Sequence, residues 1–97
     1  MFDVFYDDDY VSVGIEWRNN EPFFHHHVKK WNTTANRVMM REVENLIKLL
    51  KNNGFSTLWS YYKLPANNEP YLKKFAKKYG FVFVDNVEDY ALFMKEI

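Results

Sequence analysis

The sequence predicts an α/β domain: a mixed, largely antiparallel sheet of about six strands with two helices, in the order βββ-α-β-α-ββ. Three observations carry this reading. Tyr10-Val11-Ser12-Val13-Gly14-Ile15-Glu16-Trp17 places Val11, Val13, Ile15 and Trp17 at period two, the pattern of a half-buried strand. Between Ala35 and Asn53, the residues Met39, Met40, Val43, Leu46, Ile47 and Leu50 recur at three and four residues and make one apolar helix face. Gly54 and Gly80 stand just past two such helical patterns, where a left-handed C-terminal cap is expected.

The remaining elements follow from local chemistry. Phe2 to Tyr6 reads as a short strand and the Asp7-Asp8-Asp9 run as a turn. Asn19-Asn20-Glu21-Pro22 is turn chemistry, because Asn tolerates positive φ. Phe23 to Trp31 reads as a third strand, which makes residues 1–31 an antiparallel meander. Asn32-Thr33-Thr34 supplies side chains able to cap the helix 35–53. Phe55 to Tyr62 returns to strand character, Lys63 to Asn67 reads as a loop, and Asn68 caps a second helix with Pro70 in its first turn. In that helix Leu72, Phe75, Ala76 and Tyr79 face inward, while Lys73, Lys74, Lys77 and Lys78 face out. Phe81-Val82-Phe83-Val84 is apolar on both faces and reads as a buried strand. The turn Asn86-Val87-Glu88-Asp89 leads to a last strand, Tyr90 to Lys95. The single βαβ crossover, from strand 23–31 through helix 35–53 to strand 55–62, requires those two strands to be parallel and the crossing right-handed.

Composition sets limits on function. The chain has 97 residues, enough for one domain over 1–97, and 20% aromatic content, which can build a core without staples. The absence of cysteine excludes disulfides, thiolate metal sites and a cysteine nucleophile. Thirteen Lys and Arg balance thirteen Asp and Glu, so a globally basic nucleic-acid binder is excluded. The charge is nevertheless segregated: residues 1–21 hold six acids and one base, residues 29–80 eleven bases and three acids. That basic middle points to an anionic ligand or, more plainly, to solvated helix faces. No apolar run is long enough to span a membrane, and the acidic start is unlike a secretory signal, so a cytoplasmic protein is expected. The abundance of Lys, Asn, Phe and Tyr, all read from AT-rich codons, is compatible with a phage or mobile-element protein, a viral protein in that sense.

The element order and the stretch Pro65-Ala66-Asn67-Asn68-Glu69-Pro70-Tyr71-Leu72-Lys73-Lys74-Phe75-Ala76-Lys77-Lys78-Tyr79-Gly80-Phe81 resemble the GCN5-related N-acetyltransferase (GNAT) superfamily. That family typically shows an Asn opening a short helix that ends in Gly-Phe about one turn past a Tyr. The resemblance covers roughly residues 1–97, as though the chain began at that fold's second strand, without the family's N-terminal helices. It implies acetyl-CoA as acyl donor, an amine as acceptor, and direct attack of the amine on the thioester. Backbone amides near Tyr61 to Lys63 would form the oxyanion site. The chain departs from the family pattern in three places. Lys29-Lys30-Trp31-Asn32-Thr33-Thr34-Ala35-Asn36-Arg37 stands where the family has a glycine-rich phosphate loop, and it contains no Gly. The family's general-acid Tyr falls at Ala76, and Asn68 lies one residue further from Gly80 than usual. These departures favour the alternative of a non-catalytic descendant acting through protein–protein binding, for example a phage-encoded modulator of a host protein, or through homodimerisation.

The candidate site residues are these. Lys29, Lys30, Thr33, Thr34 and Arg37 surround a helix N-terminus, whose unpaired amides and partial positive charge favour phosphate. Plain helix capping by a Thr is the competing reading. His25-His26-His27 alternates across a strand, so only His25 and His27 share a face; with no adjoining carboxylate or cysteine, a metal is not expected. By the resemblance this strand borders the acyl-donor cleft, which makes His25 and His27 candidate general bases. Glu16 or Glu21 matches the strand Glu that often serves as base in the family. Tyr61 and Asn68 complete the acetyl-CoA contacts. Trp17, Trp31, Trp59, Tyr61 and Tyr62 either line a cleft or fill the core, and Met39 and Met40 read as core. Lys77 to Val84 is similar to the RNP1 octapeptide of RRM domains, but Lys78 replaces its Gly, Val84 its final aromatic, and a hairpin follows instead of a helix. RNA binding is thus the weakest alternative.

Overall fold

The computed structural model describes residues 2–63, 74 and 76–97. Six strands are present: β1 (Phe2–Asp7), β2 (Val11–Arg18), β3 (Glu21–Val28), β4 (Thr57–Lys63), β5 (Val82–Val87) and β6 (Tyr90–Glu96). A 20-residue helix, α1 (Thr33–Asn52), lies between β3 and β4. Lys74 and residues 76–79 are helical and lead into Gly80. The loop 64–67 and the cap Asn68, with the inward Leu72 and Phe75, lie outside the described residues. The fold class is the expected one, a mixed and largely antiparallel six-stranded sheet with its helices packed on it.

The sheet order is β1-β2-β3-β4-β6-β5. Asn19 and Asn20, both at positive φ (53° and 63°), close the β2–β3 hairpin and set Arg18 opposite Glu21, hence Glu16 opposite Phe23. β3 and β4 are parallel, as the crossover demands, and meet in register at Phe23 and Trp59. Further along the two strands the His25 and Tyr61 rings lie 5.4 Å apart and the His26 and Tyr62 rings 6.2 Å apart. β4 pairs with β6 along its whole length, from Thr57–Glu96 to Lys63–Tyr90.

One face of the sheet is covered. Val11, Val13, Ile15, Phe24, Leu58, Ala91 and Phe93 pack against Ala35, Val38, Met39, Val43, Leu46 and Leu50 of α1 and against Ala76, Tyr79 and Phe81. Met40, one residue on from buried Met39, is exposed, because about 100° of helix rotation takes it off the apolar face. Both helical segments end alike. Gly54 (φ 86°) donates to Lys51 O while Phe55 donates to Leu50 O; Gly80 (φ 79°) donates to Lys77 O while Phe81 donates to Ala76 O. These are Schellman caps, whose left-handed residue is nearly strain-free only in glycine.

One expectation is overturned. The apolar run 81–84 is not a buried central strand. Phe81 is buried, but β5 sits at the sheet edge because β6 inserts between it and β4, and Val82, Phe83 and Val84 are exposed. β3 also ends earlier than expected, at Val28, and Trp31 lies exposed ahead of α1.

Candidate functional site

Alternation along β2, β3 and β4 brings Glu16, His25 and Tyr61 together on the face opposite α1. Glu16 Oε1 accepts from the Tyr61 hydroxyl at 2.6 Å and lies 2.8 Å from His25 Nε2. Arg18, two residues along the same strand face, donates through Nε to the other Glu16 oxygen, and its guanidinium carbon lies 5.1 Å from the Tyr61 ring centroid. Its Nη2 reaches the Tyr61 hydroxyl at 3.3 Å. The His25 ring is edge-on to Tyr61 and to Phe2, each at 5.4 Å. The Phe2 ring covers Gly14: a Cβ on that glycine would stand 2.6 Å from Phe2 Cζ, so the bare backbone makes room for it.

The electrostatics assign roles within the cluster. The Tyr61 hydroxyl, with Arg18 and His25, holds the Glu16 carboxyl down to about 2. A carboxylate that acidic is ionised throughout the neutral range, so toward its neighbours Glu16 can only accept. Burial, then the neighbouring carboxylate, raises the Tyr61 phenol above its ordinary value, which keeps it protonated and donating. An ionised carboxylate only accepts, so His25 Nε2 donates to Glu16 and Nδ1 is the ring nitrogen not engaged by it. His27 is exposed on the same face, opposite Ser12. Glu21 accepts from Trp59 Nε1 at 3.4 Å and stands apart from the cluster.

The second group of candidates lies at the start of α1. Among Asn32, Thr33 and Thr34 it is Asn32 that caps the helix, its Oδ1 accepting from Ala35 N at 2.8 Å, while the two threonines occupy the first helical positions. Asn32 O takes the Asn36 amide. The exposed Thr33 and Thr34 amides remain as first-turn donors, and the first turn holds no acid. Lys29 engages Asp7 and the Asp8 carbonyl, Lys30 lies over the Tyr10 ring at 5.6 Å, and Arg37 is exposed. Asn68 lies outside the described residues.

Four of the five candidate aromatics divide between the two faces of the sheet, and Trp31 lies apart, exposed ahead of α1. Trp59 stacks on Phe23 at 6.2 Å beside Tyr61, whereas Tyr62 packs against His26 and Phe93 toward the core. Trp17 packs on Phe55, and its indole N–H donates to Asp3. Among the described residues no group of three His, Asp or Glu side chains is placed to hold a metal, and no helix is long and apolar enough to cross a membrane.

Sequence reading missed the hydroxyl role of Tyr61 and missed Arg18 altogether. The Asn19-Asn20 turn was signal enough to pair residue 16 with 23 and make His25 its diagonal neighbour. Tyr61 joins through a long-range register that no local pattern encodes. In comparison with known proteins, no family model matches the chain, and neither the curated proteins nor the solved structures yield a match.

Proposed function

We propose that this chain is a minimal acetyl-CoA-dependent N-acyltransferase of GNAT-like architecture, working in the cytoplasm on an amine acceptor. The observation that supports the reading is the parallel pair β3 and β4, in register at Phe23–Trp59, with the N-terminus of α1 following the carboxyl end of β3. In open α/β sheets ligands bind outside the carboxyl ends of the strands, and helix N-termini favour phosphate. The Thr33 and Thr34 amides with Lys30 and Arg37 supply that anion site, and β4 amides near Tyr61 supply an oxyanion site. Acetyl-CoA would provide the thioester carbonyl: the acceptor nitrogen forms the new C–N bond, the C–S bond breaks, and CoA leaves as a thiolate that then takes from the His25 imidazolium the proton the acceptor nitrogen gave up. His25 Nδ1 takes the proton released by the acceptor nitrogen, and Glu16, clamped by Tyr61 and Arg18, fixes the imidazole for that transfer.

The test is thermal unfolding with CoA and acetyl-CoA, followed by a transfer assay. Ligand at a hundred times its dissociation constant stabilises the native state by about 2.7 kcal/mol. Lys30→Glu or Arg37→Glu weakens CoA binding about tenfold or more in a salt-dependent way, whereas Lys77→Glu does much less. No shift at millimolar CoA overturns the enzyme reading. A second reading, a non-catalytic scaffold binding a protein partner or a second copy, draws on the exposed Val82, Phe83 and Val84 at the sheet edge. Equal losses at Lys30, Arg37 and Lys77 would instead indicate diffuse attraction of a nucleic-acid kind.

A further inference from the structure

Beside the Glu16–His25–Tyr61 cluster, on the same open face, lies a cavity of about 400 Å³, within the range that holds small ligands. Phe23, Tyr61, Tyr90 and Leu92 form its apolar walls, and the Tyr61 and Tyr90 rings meet edge to face at 5.2 Å. Two opposite charges also line it, Arg18 from the end of β2 and Glu88 from the β5–β6 turn, with Asn19 and Val87 beside them. Arg18 is pre-organised: Glu16 fixes its Nε and Tyr61 its Nη2, leaving the other guanidinium donors for a carboxylate. Glu88 carries an independent mark. It holds a left-handed φ of 54°, a conformation that Asn or Gly adopts at lower cost, as Asn19 and Asn20 do in the other turn. A strained residue that also lines a cavity is the usual sign of a side chain kept for its chemistry.

We propose that this cavity binds an apolar α-amino acid, its carboxylate on Arg18, its side chain between Phe23, Tyr90 and Leu92, and its ammonium toward Glu88. An apolar chamber with one fixed cation and one anion matches a zwitterion better than either a simple acid or a simple amine. The inference stands apart from the proposed acyl transfer, and the binding needs no CoA.

The experiment is calorimetric titration of the CoA-free protein with L-phenylalanine, hydrocinnamate, which lacks the amine, and phenethylamine, which lacks the carboxylate. Phenylalanine binds saturably, and each truncated probe binds about tenfold or more weakly, the loss expected for one charge-assisted hydrogen bond. Arg18→Met weakens phenylalanine and hydrocinnamate by a similar factor and spares phenethylamine. Glu88→Asn weakens phenylalanine and phenethylamine and spares hydrocinnamate, yet melts higher than the parent because Asn tolerates the left-handed turn. That rise separates lost binding from lost folding. Equal affinity for all three probes, no phenylalanine binding at millimolar concentration, or unchanged binding in both variants overturns the proposal. Failure of the CoA test leaves these outcomes untouched, and loss of amino-acid binding leaves the CoA shift in place.

Discussion

His26 stacks on Phe24 at 5.3 Å and meets Tyr62 edge-on, on the face that α1 covers, and burial pushes its imidazole down to about 4, helped by the adjacent His25 and His27. The unfolded chain, with an imidazole near 6.5, therefore binds the extra proton first. Stability is full above pH 6.5 and falls as the pH drops from there toward 4, by about 3 kcal/mol for a shift of this size. Glu16 acts in the next window. Its depressed carboxyl contributes stability above pH 4.5 that is lost as the pH falls toward 2. His26→Phe keeps the aromatic contacts and removes the titration. Urea denaturation at pH 7 and pH 4 then shows a loss smaller than the parent's by about 3 kcal/mol; an unchanged loss refutes the assignment. Of these residues the sequence showed only that His25 and His26 must face opposite ways. Which face lay under the helix was not legible, because Phe23 and Phe24 put an equal ring on each side.

Each secondary-structure element was legible to the degree that its signal is local. α1 announced itself by its apolar stripe and by Gly54, and the β2–β3 hairpin by alternation around Asn19-Asn20. The cap shows the resolution of such reading. Three adjacent candidates existed, and only Asn32 takes the extended backbone (φ −157°, ψ 178°) that a cap requires. Asn32→Ala accordingly destabilises the fold by about 1 kcal/mol, while Thr33→Ala and Thr34→Ala, inside the helix, change it by a few tenths. Chemical denaturation of the three variants checks the order. β5 was misread because a run apolar on both faces normally marks a strand buried between neighbours. Its neighbour on one side is absent among the described residues, since the return of β6 between β4 and β5 is a topological event with no local signature. The Glu16–His25–Tyr61 cluster was half legible for the same reason: β2 and β3 are a hairpin, but β4 arrives after a helix.

At the scale of the whole molecule, apolar surface remains exposed at both ends of the sheet: Phe2 and Val4 on β1, and Val82, Phe83, Val84 and Val87 on β5. Surface of this kind favours self-association. Light scattering at micromolar concentration is expected to give a dimer mass; a monomer mass without a partner removes that expectation. The same two edge strands share another feature. The register slips between Val4 and Tyr6 on β1 and between Phe83 and Asp85 on β5, and the Asp85 carboxylate takes the Asn86 amide at 2.7 Å. An extra residue bends a strand and breaks the straight row of amides that an incoming chain would copy. Both ends of the sheet are thus poor templates for cross-β stacking, despite a Phe-Val-Phe-Val segment of the kind that builds steric zippers. Copies that meet through these side chains have no backbone ladder to extend. A chain so rich in aromatics can therefore stick to one partner and stop there, instead of growing into a fibre.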